Sequence, residues 1–181
     1  MTNVGKGTQS DRLKTHFKAQ HLSAGDLLRS SKKHRELIDG YIKEGQIVPS
    51  HITIELLLDH MTEDLILVDG FPRQVEQAQS FEDQVKQLHA TTDKRFDILG
   101  VLFLDVANEV VLVDRILKRS QNSGRLDDNP EAIKKRLVVY KEQTMPVIEY
   151  YKNNVFKVNG DTDVEIVFNE CKTIVEKLLK K

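Results

Sequence analysis

The 181-residue chain has no tryptophan, one cysteine and few aromatic residues, and its charges nearly cancel. Each shortage excludes something. With Cys171 alone, no internal disulfide can form, and a reducing compartment fits such a chain. The formal net charge is -1, from 27 basic and 28 acidic side chains. No overall basic field therefore exists to hold nucleic acid or an anionic membrane, and phosphate binding would have to come from cations placed locally. No run of about 18 apolar residues occurs, so no membrane-spanning helix is expected. The start, MTNVGKGTQSDRL, has no apolar stretch of the secretory kind, so no export signal is expected. Repeats and low-complexity tracts are absent too.

What is present is a chain of about one domain, long enough to hide roughly two-thirds of its unfolded surface. Short apolar runs alternate with longer helical patterns. The runs are Gln20–Leu22, Leu65–Val68, Ile98–Val106 and Val155–Val158, two of them ending in Asp69-Gly70 and Asn159-Gly160. Continuous Val/Ile/Leu/Phe runs between helices predict buried parallel strands. Helices are predicted over Thr8–Phe17, Asp26–Ser31, Glu36–Lys43, Glu76–Leu88, Asn108–Arg119 and Pro130–Tyr151. The spacing of Val164, Val167, Phe168, Cys171, Val175, Leu178 and Leu179 predicts a last one, with Cys171 in the core. The alternation argues an α/β three-layer parallel sheet with helices on both faces.

Three groups of residues carry chemistry. Gly5-Lys6-Gly7-Thr8 precedes a helix; a glycine turn there lets backbone N–H groups face phosphate oxygens. Lys6 would reach the transferring phosphates and Thr8 the magnesium shell. The plainer alternative is an ordinary helix-start turn. In Asp69-Gly70-Phe71-Pro72-Arg73 a strand end delivers a carboxylate able to hold magnesium through water, and a Pro-fixed turn aims the Arg73 fork. The alternative is a strand-end turn with a surface arginine. Arg115, Arg119, Arg125 and Arg136 form the third group. Converging arginines neutralise a transferring phosphoryl group; each alone reads first as a solvated side chain, and their weight comes from company.

Four motifs in order, His21-Leu22-Ser23-Ala24-Gly25-Asp26-Leu27-Leu28-Arg29, Glu44-Gly45-Gln46-Ile47-Val48-Pro49, Asp69–Arg73 and Ser123–Asn129, closely resemble the short-lid nucleoside monophosphate kinases. That family includes UMP/CMP kinases and cytosolic adenylate kinases. The resemblance implies a P-loop kinase using ATP and Mg2+, with a monophosphate-binding arm at residues 23–52 and a short lid at 119–129. It implies that Gly5, Lys6, Gly7 and Thr8 hold the ATP phosphates, with Arg119 on ATP, Arg115 near its adenine and Thr162 offering backbone to the base. It implies that Arg29 and Arg73 grip the monophosphate, with Gly70 and Phe71 beside it, that Gln46, Ile47 and Val48 line its ribose and base, and that Gln77 reads the base. Arg125 and Arg136 would bridge both phosphates as the lid closes. Lys6, Arg73, Arg119, Arg125 and Arg136 are the implied catalytic set, and Asp69 with Thr8 the implied magnesium set. Ala24, Ile47, Phe71, Ile52-Thr53-Ile54 and Glu142–Tyr150 resemble UMP/CMP kinases. Gln77 is typical of adenylate kinases but occurs in fungal-type uridylate kinases too.

UMP and CMP are the expected acceptors. The alternatives are an adenylate kinase acting on AMP, and a catalytically impaired nucleotide-binding relative. Small-molecule nucleotides are the expected partners, not nucleic acid or membrane, for a monomer in the cytoplasm or the nucleus. The family's first strand and the first half of its phosphate loop have no counterpart here, and Met1–Val4 stand where loop residues belong. An N-terminally truncated member is expected, with its central strand missing, a gap or distortion in the sheet, and weakened ATP binding.

Overall fold

Helix α1 (Lys6–Phe17) begins on Gly5, whose φ of 85° lies in the left-handed region that favours glycine. The structure is a computed structural model, and it describes residues 5–93, 95–106 and 130–180. After α1 come β1 (Gln20–Ser23), α2 (Ala24–Ser30), α3 (Arg35–Lys43), α4 (Ser50–His60), β2 (Ile66–Asp69), α5 (Val75–Thr91) and β3 (Val101–Asp105). The later elements are α6 (Pro130–Val139), a π-helical turn (Tyr140–Thr144), α7 (Met145–Tyr150), β4 (Val155–Asn159) and α8 (Val164–Leu178). The sequence-predicted helix at 108–119 lies outside the described residues.

The strands pair in parallel, β1 on β2 from Gln20↔Ile66 to Ser23↔Asp69, and β3 on β4 from Val101↔Val155 to Asp105↔Asn159. Side chains alternate across β2, as a strand requires. Ile66 and Val68 pack on Leu22, Ile54, Leu57, Phe81 and Val85, under α4 and α5. Leu67 packs on the opposite cluster of Leu13, Leu104, Val158, Val167, Cys171 and Val175, under α1 and α8. Helices on both faces of parallel strands make the expected three layers.

The sheet is in two halves. Among the described residues β2 and β3 do not pair, and all four residues of β2 are only partly buried. A central parallel strand is normally covered on both faces. Helix α1 joins the halves: it contacts β1, β2 and α8, and its Leu13 sits in the cluster containing β3 and β4 residues. Gln9 Nε2 donates to the Val164 carbonyl at 3.0 Å, and Arg12 lies over the Phe168 ring while pairing with Glu165.

Helix α4 has no counterpart in the sequence reading. Its run Ile52-Thr53-Ile54 is β-branched, which lowers helix propensity. Packing overrides that: Ile52, Ile54 and Leu57 are almost fully buried, each side chain stabilising by about 1.5–3 kcal/mol. The strand predicted from Ile98 starts instead at Val101. A Cβ at Gly100 would come within 2.8 Å of the Phe156 ring, so the chain approaches β4 there as bare backbone. The helix predicted over Pro130–Tyr151 is interrupted by the π-helical turn.

Cys171 is buried, as expected. Burial and the neighbouring Glu170 charge push its thiol up to about 11, because both disfavour the thiolate. At pH 8 the thiol is neutral, so iodoacetamide is expected to label the native protein far more slowly than the urea-unfolded one. Equal labelling rates, followed by mass spectrometry, would contradict this packing.

Candidate active site

The carboxyl ends of β1 and β2 and the first turn of α1 open onto one cleft of 730 Å³. Open α/β sheets bind ligands at this end. The register sets Ser23 beside Asp69 at the strand ends, with His21 two residues back on the same face. Both Ser23 and His21 line the cleft.

Lys6 Nζ lies 3.9 Å from Asp69 Oδ1, an ion pair too long for a hydrogen bond. His21 Nδ1 is 3.1 Å from Asp11 Oδ1, and its Nε2 is 4.0 Å from Asp69 Oδ2. His21 Nε2 and Asp69 Oδ1 are buried without a hydrogen-bond partner among the described residues. An orphaned buried polar group costs about 1–3 kcal/mol, so this corner is built for an additional polar guest. Asp69 with the Thr8 hydroxyl in the same cleft fits a hydrated magnesium ion, a hard cation bound through one or two oxygens plus substrate phosphates. Among the described residues, no group of three or more His, Cys, Asp or Glu side chains could hold a metal by itself.

Arg73 is fixed at three points. Its Nε donates to the Gly70 carbonyl at 2.8 Å, its backbone N–H to Gln77 Oε1 at 2.9 Å, and its carbonyl accepts from Thr144 Oγ1 at 3.0 Å. Gly70 has φ 78°, so the chain turns there in a left-handed conformation. Gln77 is 2% exposed. Arg29 Nη2 donates to Asp26 Oδ1 at 2.6 Å, one turn apart on α2, and its guanidinium packs over Gly25. Arg136 reaches the cleft from α6, where a Cβ at Gly45 would meet the Ala132 carbonyl at 2.9 Å and Arg136 Cγ at 3.2 Å. Gly45 also has a positive φ, 70°, so the arm meets α6 at a position suited to glycine.

Of the sequence-predicted site residues, Gly5, Lys6, Gly7, Thr8, Arg29, Gln46, Ile47, Val48, Asp69, Gly70, Arg73, Gln77 and Arg136 all border this one cleft. Two do not. Phe71 turns into the core beneath α4 and α5, edge-on to Phe81 at 5.3 Å, because an aromatic ring gains more there than at a polar wall. Thr162 lies in the turn after β4 with its hydroxyl on the Asn159 carbonyl at 3.3 Å, outside the cleft wall. Arg115, Arg119 and Arg125 lie outside the described residues. Asp11 and His21 line the cleft as well, and the sequence does not single them out. The signal for His21 was its place two residues before the strand-end Ser23, on the same strand face.

The sequence model of the family described as adenylate kinase matches residues 2–156. A UMP-CMP kinase of Lentinula edodes is 43% identical over 199 residues, spanning 97% of this chain and 82% of that protein. A UMP-CMP kinase of Danio rerio is 40% identical over 189 residues, with 96% and 92% covered. A uridylate kinase of Saccharomyces cerevisiae is 40% identical over 185 residues, with 95% and 85% covered.

Proposed function

The chain belongs to the adenylate kinase family, and on that premise we propose that it is a nucleoside monophosphate kinase transferring the γ-phosphoryl group of ATP to UMP or CMP. The observation that carries the reading is the gathering of Lys6, Asp69, Arg29, Arg73 and Arg136 around one cleft. The relatives named for UMP, CMP or uridylate favour pyrimidine acceptors over AMP.

In this reading the first turn of α1, with Gly5, Lys6, Gly7 and Thr8, receives the ATP phosphates on backbone N–H groups. Lys6 adds a point charge at the outer phosphates. Arg29 and Arg73 hold the monophosphate, whose oxygen attacks the γ-phosphorus as the bond to the leaving ADP oxygen breaks. Gln46, Ile47, Val48 and Gln77 surround the nucleoside. Arg136 spans donor and acceptor phosphates. Thr8, and Asp69 through water, would hold a magnesium ion, which would supply charge neutralisation at the phosphates. Little covalent chemistry falls to the protein in such a transfer, so aligned cations account for most of its work. In the same reading residues 23–52 are the monophosphate arm, and residues 119–129, outside the described residues, are the lid. Arg119 would contact ATP with Arg115 near its adenine, Arg125 would join Arg136 in bridging the phosphates, and Thr162 would offer backbone to the adenine. Among the described residues no helix is long and apolar enough to cross a membrane. A monomer in the cytoplasm or nucleus completes the proposal.

A coupled assay of ADP formation from MgATP with UMP, CMP and AMP tests it. Turnover with UMP and CMP is the expected result. Turnover with AMP alone selects an adenylate kinase, and nucleotide binding without turnover selects the impaired relative.

A further inference from the structure

The widened turn at Tyr140–Thr144 has a cause in the sequence. Pro146 has no N–H for the carbonyl four residues back, and its ring clashes with that carbonyl. The helix yields by opening one turn: Met145 N–H donates to the Tyr140 carbonyl, five residues back instead of four. Tyr140 anchors the turn in the interior, where burial and the Asp105 charge push its phenol up to about 12.

Opening the turn brings two consecutive side chains onto the loop after β2. Gln143 Oε1 accepts from Gln74 Nε2 at 2.6 Å, and Thr144 Oγ1 donates to the Arg73 carbonyl at 3.0 Å. Both bonds are partly buried and span about 70 residues of sequence. In a regular helix, neighbouring side chains point about 100° apart and do not face one target. Here both meet adjacent residues of one loop. Gln77, from α5, holds the Arg73 N–H on the other side. The peptide units flanking Arg73 are therefore gripped from two elements. One of these, the broken helix, also carries Arg136 to the same cleft.

We infer that Thr144 and Gln143 are positioning residues: the π-helical turn sets the Arg73 guanidinium in register with Arg136, so that both cations face the same monophosphate. Pro146 creates the turn, and the turn supplies the clamp. A turn that only relieved the proline would leave Arg73 indifferent to the Thr144 hydroxyl. The kinetic part of this inference rests on the proposed phosphoryl transfer; the structural part does not.

Thr144→Val removes the hydroxyl and keeps the branched shape, while Thr144→Ser keeps the hydroxyl. Hydrogen exchange of residues 70–77 is expected to quicken in T144V, with the rest of the chain unchanged, and to return to the wild-type rate in T144S. In steady-state assays the T144V KM for UMP is expected to rise about tenfold, with the KM for ATP within about twofold of wild type, since a misplaced clamp weakens only the ligand that it positions. T144S should restore the UMP value. Unchanged exchange at 70–77, a quickening spread evenly over the chain, or faster local exchange with an unchanged UMP KM would each overturn the inference. If the wild-type chain turns over no monophosphate, the proposed function fails, and the exchange measurement alone decides the clamp. Should T144V not fold, Gln143→Ala removes the companion bond and is judged by the same criteria.

Discussion

Arg73→Ala is expected to lower turnover with UMP and CMP by about 10²-fold or more while the protein stays folded. The two effects separate because of how Arg73 is held. Its backbone N–H and carbonyl are bound by Gln77 and Thr144, and an alanine keeps both bonds. What goes is the guanidinium with its contacts, the bond to the Gly70 carbonyl among them. That carbonyl borders an open cleft and can turn to water, so the stability loss should stay near 1 kcal/mol. The catalytic loss is larger because a phosphoryl oxygen without its donor has nothing prearranged to replace it. Arg73→Lys should recover only part of the rate, since an ammonium is a point charge and cannot offer two parallel N–H groups. Steady-state kinetics beside a thermal melt would check both. Equal rates for wild type and R73A would remove Arg73 from the phosphate site.

Much of this site was legible because its residues sit at the ends of elements. The run Leu65–Val68 followed by Asp69-Gly70 marks a strand and its end, and a parallel strand presents its carboxyl end to ligand. Gly5 before α1 is similar: a glycine ahead of a helix marks the turn where N–H groups are exposed. The core packing of Phe71 was not legible, because a ring beside a phosphate-gripping arginine suits the site and the core equally in one dimension. The decision belongs to Phe81 and its neighbours on α4 and α5. Helix α4 was missed for a related reason. Local propensity reads Ile52-Thr53-Ile54 as strand-like, and only packing against α5 and the arm makes it helical. His21 lay inside a recognised motif, but its link to Asp11 comes from the packing of α1 against β1, which no local pattern encodes. The widened turn follows from Pro146, yet its contact with Arg73 depends on tertiary docking across 71 residues.

The Lys6→Met variant is expected to lose about 10²- to 10³-fold in kcat/KM for ATP, with a much smaller change in the KM for UMP. Methionine keeps an unbranched apolar stem and removes the charge. Lys6 opens α1 directly after the left-handed Gly5, so its ammonium stands at the end of the helix where backbone N–H groups already gather. The N–H groups remain in the variant, so nucleotide binding weakens without vanishing. The ammonium is the only part removed, and its value grows as charge moves between the outer phosphates. Asp69, 3.9 Å away and only 14% exposed, loses its nearby counter-charge in the variant, so a thermal melt beside the kinetics separates lost folding from lost rate. The contrast with Arg73 is the decisive feature. If Lys6 serves the donor and Arg73 the acceptor, K6M must raise the barrier for ATP while leaving UMP affinity near normal, and R73A must do the reverse. Titrating each variant with each nucleotide, with magnesium held constant, separates the two sides of the cleft. A K6M protein within a few-fold of wild type for both nucleotides would sink the assignment of α1 as the ATP-phosphate site.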